Sequence, residues 1–276
     1  MQQHLLVALA AATILVQAAP AVVERDNIVP KKAGLSGYPT IQNTQAFADL
    51  APYIGWYSDY NPDTPDSKGV QGVPMLWGAD GSSCDVTNGR LQTFKDKVAN
   101  STPRLMFGFF EPDCKCQSSS HMNIKETANA WNNLLVPLGN RGTILGSPSM
   151  CLQKDENYLT PFQTMIDRDW DITSIHVNKP DLKGIKADVA HYRKYGKPIF
   201  ISEFACVFDQ RDFTPCTDQG QIDGFINDAV EYFESQDDIV GYGPSNGEGL
   251  GSVWPLTRNG KLTKSGKTYL NAVKSL

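Results

Sequence analysis

Short apolar runs alternate along the chain with amphipathic stretches, and the two kinds of segment differ in period. Runs at 34–37, 53–57, 73–77, 104–110, 143–147, 172–177, 199–204 and 239–242 are apolar or β-branched and predict eight strands. Between them, apolar residues recur every three or four positions, as a helix with one buried stripe requires. Leu91, Phe94 and Val98 form one stripe, Ala128, Trp131, Leu134, Leu135 and Leu138 a second, and Leu159, Phe162, Ile166 and Trp170 a third. Leu182, Ile185, Val189 and Tyr192 predict a helix stopped by Gly196. Ile222, Phe225, Ile226, Ala229, Val230 and Phe233 predict the next, with Asp218 as its N-cap. A last helix is expected from about Ser265, carrying Leu270, Val273 and Leu276. Strand followed by helix or helix-like segment, eight times, is an α/β pattern that suggests closure into a single (β/α)8 TIM barrel. The first strand is Gly-rich and the second and third helices are the least regular. A doubly wound open sheet is the competing arrangement, but no Gly-rich phosphate-binding turn follows any strand.

The first 21 residues, MQQHLLVALAAATILVQAAPA, are apolar from Leu5 to about Val16 and end in small residues, the form of a secretory signal peptide. Residues 22–32 then read as a short leader or propeptide, whose Lys31-Lys32 end offers a second processing point. The catalytic-type domain is expected over 33–276. No later stretch approaches the roughly 20 apolar residues of a spanning helix, so no membrane partner is expected. The protein is expected to be a secreted monomer, extracellular or in the cell wall.

A net charge of −5 and a pI near 5.4, without a cluster of Lys and Arg, argue against a nucleic-acid partner. Cys84, Cys114, Cys116, Cys151, Cys206 and Cys216 follow a signal peptide, which favours disulfides over metal. Cys206 and Cys216 would close a loop after the seventh strand, while the pairing among the other four stays open. Of the four histidines only His121 sits near the close Cys114/Cys116 pair, so no metal site is expected. Asn100-Ser101-Thr102 is a glycosylation sequon with Pro103 behind it.

Strand ends in a barrel present side chains to the catalytic face. Arg104 to Phe110 runs directly into Glu111-Pro112-Asp113, and Pro198 to Ser202 into Glu203-Phe204-Ala205. These are the fourth and seventh strands, which lie across the lumen from one another in a closed eight-stranded barrel. Two inward carboxylates roughly 5 Å apart suit double displacement at a sugar, whereas roughly 6.5 to 9.5 Å suits inversion. Phe109, Phe110 and the opposing Glu would keep the acid partly protonated.

Gly108-Phe-Phe-Glu-Pro-Asp113 resembles the GFNEPD motif, and Ile201-Ser-Glu-Phe-Ala205 the TEFA motif, of glycoside hydrolase family 128, the fungal and bacterial β-1,3-glucanases. Trp56-Tyr57, Val73-Pro-Met-Leu-Trp77-Gly78, Gly146-Ser-Pro148 and His176 match in the same order, from about Ala33 to the C-terminus. The resemblance implies a clan A glycosidase barrel with Glu111 as acid/base and Glu203 as nucleophile. It also implies that Trp77, Trp56, Tyr57, His176 and Tyr242 line glucan subsites. Phe110, Asp113, Asn178 and Trp254 complete the candidate substrate-binding set. Two departures stand out. The family has Asn immediately before the acid/base where this chain has Phe110, and HWY on the sixth strand where this chain has His176-Val177-Asn178.

The expected function is a secreted, retaining β-1,3-glucanase-like hydrolase of cell-wall β-glucan polysaccharide or oligosaccharide, working without a cofactor. Phe110 and Val177 motivate the alternative, a catalytically weak or inactive β-glucan-binding wall protein. A wall or effector protein with no sugar site is the third reading.

Overall fold

The computed structural model describes residues 28–79, 89–115, 118–152, 155–209, 213–247 and 249–276. The expected signal peptide, Cys84 and Cys116 lie outside them.

Eight parallel segments follow the order of the predicted runs, seven of them within or overlapping those runs and the third just ahead of 73–77. They are β1 (Gly34–Ser36), β2 (Trp56–Ser58), β3 (Gln71–Gly72), β4 (Leu105–Met106), β5 (Ile144–Leu145), β6 (Thr173–Lys179), β7 (Ile199–Phe208) and, after a short β8 (Thr214–Pro215), β9 (Ile239–Pro244). The ladders join β1 to β2, β2 to β3, β4 to β5, β6 to β7 and β7 to β9, all parallel. Single parallel bridges at Met75/Phe107, Gly146/Ile172, Ala33/Tyr242 and Ser36/Ser245 connect the remaining neighbours. The run at 73–77 is less regular than its composition predicts, because Pro74 has no N–H to give the ladder; its carbonyl accepts from Phe107 N–H at 2.9 Å.

Helices lie between most strands. α1 (Gln45–Leu50) is capped by Thr44, and α2 (Arg90–Thr93) continues as a π-helical turn, Phe94–Val98, burying the expected Leu91, Phe94 and Val98. α3 (Ile124–Ala130), a π turn at Trp131–Leu135 and α4 (Val136–Asn140) form one run. Its irregular middle precedes Pro137, which cannot donate to the helix. No helix separates β2 from β3, contrary to expectation: Asp59 Oδ1 accepts from Asn61 N–H at 3.2 Å and Thr64 Oγ1 at 2.5 Å, folding the segment into a turn. α5 (Leu159–Gln163) is shorter than its stripe predicts. Trp170 reaches the core from the following loop, donating through Nε1 to Thr173 Oγ1 at 3.1 Å. α6 (Leu182–Tyr192), α7 (Gln219–Ser235) and α8 (Lys264–Lys274) start at the caps Asp181, Asp218 and Thr263, and Gly196 ends the turn after α6 at φ +64. β10 (Thr257–Arg258) and β11 (Lys261–Leu262) form a hairpin through Asn259-Gly260, both at positive φ.

The apolar core has two parts. A larger one fills the space between strands and helices. A smaller one comes almost wholly from the strands: Trp56, Val73, Met75, Leu105, Phe107, Ile172, Phe200 and Val240. Ile28 and Val29 insert into this smaller core, and Lys32 Nζ donates to Glu234 O at 3.1 Å and Gln236 O at 2.9 Å. Residues 28–32, grouped with the leader on sequence grounds, are thus packed as part of the fold. None of the described helices is long and apolar enough to cross a membrane.

Candidate active site

The strands β6 and β7 and the segments that follow β1, β2, β3, β4, β7 and β9 meet around one cavity of about 320 Å³ whose walls include Tyr60, Trp77, Phe110, Glu111, Asn178 and Glu203. Glu111 leaves the β4 segment at φ +47, a left-handed turn uncommon for a side chain with a Cβ. Its N–H donates to Ser149 O at 2.9 Å, and Phe110 O accepts from Ser120 N–H at 2.9 Å, holding that turn. Glu203 lies within β7, where the pairing slips against β6 between Ile175 and His176 and against β9 between Ile201 and Phe204. Such irregularities re-aim side chains.

Every carboxylate oxygen at the centre accepts a hydrogen bond. Glu111 Oε1 lies 2.7 Å from His176 Nδ1 and Oε2 accepts from Ser119 Oγ at 3.1 Å. Glu203 Oε1 accepts from the Tyr60 hydroxyl at 2.5 Å and Oε2 from Ser245 Oγ at 2.7 Å. Ser245 is itself positioned by Trp254, whose indole N–H donates to Ser245 O at 2.8 Å.

Burial sets the proton distribution. Glu203 is 4% exposed, and its loss of water raises its pKa despite the opposing pull of His176, Tyr60 and Ser245. Burial pushes His176 the other way, but the charges of Glu203 and Glu111 outweigh it and the imidazole pKa rises. As imidazolium it makes a charge-assisted bond to Glu111. The Tyr60 hydroxyl, buried beside Glu203, is held well above its ordinary range and stays a donor. A consequence for stability follows. Because the folded-state pKa of Glu203 is raised above 4.5, its neutral form stabilises the fold fully below that pH, and the benefit is lost as pH rises through the folded value. Glu203→Gln is therefore expected to be more stable than the parent at pH 7 to 8, with the difference closing below about pH 4.5. Denaturant unfolding across that range measures it, and a variant destabilised at every pH contradicts the assignment.

Aromatic rings form the wall beside Glu111. Phe110 stacks on Trp77 at 6.0 Å and 14°, and meets Tyr60 edge-on at 5.1 Å and 65°. The Arg90 guanidinium lies 5.0 Å from the Trp77 ring centre.

Comparison with known proteins places this arrangement. Residues 36–269 match the family model described as glycosyl hydrolase catalytic core. An oligosaccharide-binding protein of glycoside hydrolase family 128, subgroup VII, from Trichoderma gamsii is 42% identical, with 89% of this chain and 95% of that one aligned at a TM-score of 0.81. A second subgroup VII oligosaccharide-binding protein, from Cryptococcus neoformans, is 43% identical over 89% and 94% of the two chains, also at 0.81. The chain belongs to glycoside hydrolase family 128. An endo-β-1,3-glucanase of family 128 from Amycolatopsis mediterranei, in complex with laminaritriose, shares the fold at 19% identity and a TM-score of 0.69, over 88% and 99% of the chains. A search of curated proteins found no match.

Within this family 128 fold, the residues singled out in the sequence divide into two groups. Glu111, Glu203, Trp77, Phe110 and Asn178 line the cavity, and His176 stands behind Glu111. The others do not line it. Trp56 is a core residue, edge-on to Phe107 and Phe200; a Cβ on Gly34 would lie 2.2 Å from its ring, so this glycine makes room for the indole. Tyr57, on the opposite side of β2, packs against Phe47 and donates to Pro65 O. Tyr242 is buried with its hydroxyl on Glu234. Trp254 touches the site only through Ser245. Asp113 accepts from the N–H groups of Cys151 and Leu152 at 3.0 and 2.9 Å and so ties two loops together. Cys114 and Cys151 form a disulfide between the same loops, and Cys206 bonds Cys216.

Sequence reasoning missed Tyr60, Ser245, Arg90 and Phe213, all of which line the cavity. Tyr60 and Ser245 fall in 58–71 and 243–255, long irregular stretches of sequence that follow the second and eighth predicted strands, and that position was the available signal. Among the described residues, Asp155, Glu156 and His191 have donor atoms close enough together for a cation. There Lys194 Nζ lies 2.9 Å from Asp155 Oδ2, and Tyr195 donates to the same carboxylate.

Proposed function

We propose that this family 128 chain is a secreted β-1,3-gluco-oligosaccharide-binding protein that holds its ligand between Trp77, Asn178 and Glu203 and hydrolyses it slowly or not at all. The observation that carries the reading is Phe110. Its ring forms part of the cleft wall, stacked on Trp77 beside Glu111. The resemblance to active family members calls for an Asn there, whose donated hydrogen bond strengthens in the transition state. A phenyl ring offers apolar surface to a sugar and no donor.

Burial raises the pKa of Glu203, and its two oxygens already accept from Tyr60 and Ser245. Glu111, the acid/base of the resemblance, has both oxygens already engaged by His176 and Ser119. The relatives from Trichoderma gamsii and Cryptococcus neoformans, at 42% and 43% identity, are described as oligosaccharide-binding proteins. The succession of parallel pairings from β1 round to β9, with Ala33 bridged to Tyr242, supports a closed (β/α)8 barrel beneath the site. The N-terminal signal pattern and the two disulfides support export.

Calorimetry with laminaritriose is expected to show binding, and Trp77→Ala to weaken it by at least about fivefold, since truncating a central aromatic contact costs more than about 1 kcal/mol. Incubation with laminarin over days is expected to release little reducing sugar. Turnover at roughly 1 s⁻¹ or faster, the ordinary range of enzymes, contradicts this reading. A second reading, slow hydrolysis with retention, is favoured by the presence of Glu111 and Glu203 on one cavity. In that case Glu203→Gln abolishes what turnover there is.

A further inference from the structure

We infer that Phe213 is an outer sugar-binding platform at the mouth of the cleft, which makes the site prefer longer oligosaccharides to short ones. The inference rests on the oligosaccharide-binding reading above. Phe213 lines the same cavity as Glu203 and Trp77, yet it is 52% exposed where Trp77 is 5% and Phe110 is 6%. The inner rings are therefore walls of a pocket, and Phe213 is its lip. Phe213 is thus a half-exposed aromatic ring on the wall of a cleft that also presents carboxylates and amides, the pairing of surfaces a sugar needs. Aromatic faces fit the C–H faces of sugars, while the polar groups deeper in the cleft suit hydroxyls.

The ring is also held in place before any ligand arrives. Phe213 immediately precedes β8, which pairs antiparallel with the end of β7 through Val207/Pro215 and Phe208/Thr214. The Cys206–Cys216 disulfide ties the ends of this loop, and Cys216 N–H donates to Cys206 O at 3.0 Å. On its other side the ring edge faces Gly249, where a Cβ would lie 3.6 Å from Cδ1 and Cε1. Gly249 sits at φ +80 in the loop that follows β9, the loop that also brings Ser245 to Glu203. Two loops anchored on neighbouring strands thus flank the platform.

The test is a chain-length series by calorimetry, from laminaribiose to laminarihexaose, on the parent, Phe213→Ala and Phe213→Trp. Phe213→Ala is expected to leave disaccharide affinity within about twofold and to weaken the hexasaccharide by about tenfold, the scale of losing one aromatic contact. Phe213→Trp is expected to restore the length dependence. Unchanged melting temperatures for both variants show that the fold is intact, as the exposure of the ring predicts. An equal loss at every length, or no loss at any, overturns the outer platform and leaves the oligosaccharide reading standing. Failure of the parent to bind any of the series overturns both.

Discussion

Phe110→Asn is expected to raise laminarin hydrolysis by about a hundredfold over the parent. One positioned hydrogen-bond donor at a transition state is worth about 10² to 10³ in rate when removed, and this substitution restores such a donor beside Glu111. It also removes the ring that stacks on Trp77 and meets Tyr60, opening the wall next to both carboxylates. The gain should be in kcat, because a contact formed mainly in the transition state does not tighten the ground state. Phe110 is 6% exposed, so the same change should cost about 2 to 4 kcal/mol of stability, and unfolding midpoints must be measured alongside. Phe110→Asn combined with Glu203→Gln should return activity to the baseline, which separates the chain's own chemistry from a contaminating glucanase. If Phe110→Asn folds and gains nothing, the environment of the carboxylates, rather than Phe110, limits catalysis.

A chain cut after Lys32 is expected to lose about 5 kcal/mol or more of stability. Ile28 and Val29 are almost fully buried in the strand-derived core, and each buried aliphatic side chain contributes about 1.5 to 3 kcal/mol. The cut also removes the carbonyl of Lys32, which accepts from Trp56 Nε1 at 2.9 Å and Tyr242 N–H at 2.8 Å. A buried donor left without its acceptor costs about 1 to 3 kcal/mol. Against a total stability of about 5 to 15 kcal/mol, this is enough to unfold a marginal domain. The melting temperature should fall by about 10 to 20 °C relative to a chain beginning at Val22. Equal midpoints would show residues 28–32 to be dispensable and would leave Lys31-Lys32 open as a processing point.

The dibasic pair illustrates a general limit of reading this chain. Lys31-Lys32 looks like a cleavage signal because it is dibasic and ends the short stretch that follows a signal-like segment. Only the packing of Ile28 and Val29 against Trp56 and Phe200 makes the segment structural. Those partners are remote in sequence, and no local pattern announces them. The same holds in part for the aromatics. Trp56, Tyr57, Trp77 and Tyr242 all sit on or just past apolar strands; Trp77, placed just past its strand, is the one whose position favours the cleft, and it alone of the four lines it. The Asn259-Gly260 hairpin is the opposite case: it is a strong local turn signal that a search for strand and helix periods passed over.

The sequence by itself determined the order of the main strands and of most helices, the helix caps at Asp218 and Gly196, and the two glutamates that follow apolar strands. Each of these depends on neighbours within a few residues. Tertiary structure decided which side of each strand faces the cleft, because alternate residues point to opposite faces and pairing selects between them. It also decided what surrounds the carboxylates. Tyr60 reaches Glu203 across 143 positions and Ser245 across 42, so the proton balance of the site is set by contacts that only the folded chain creates.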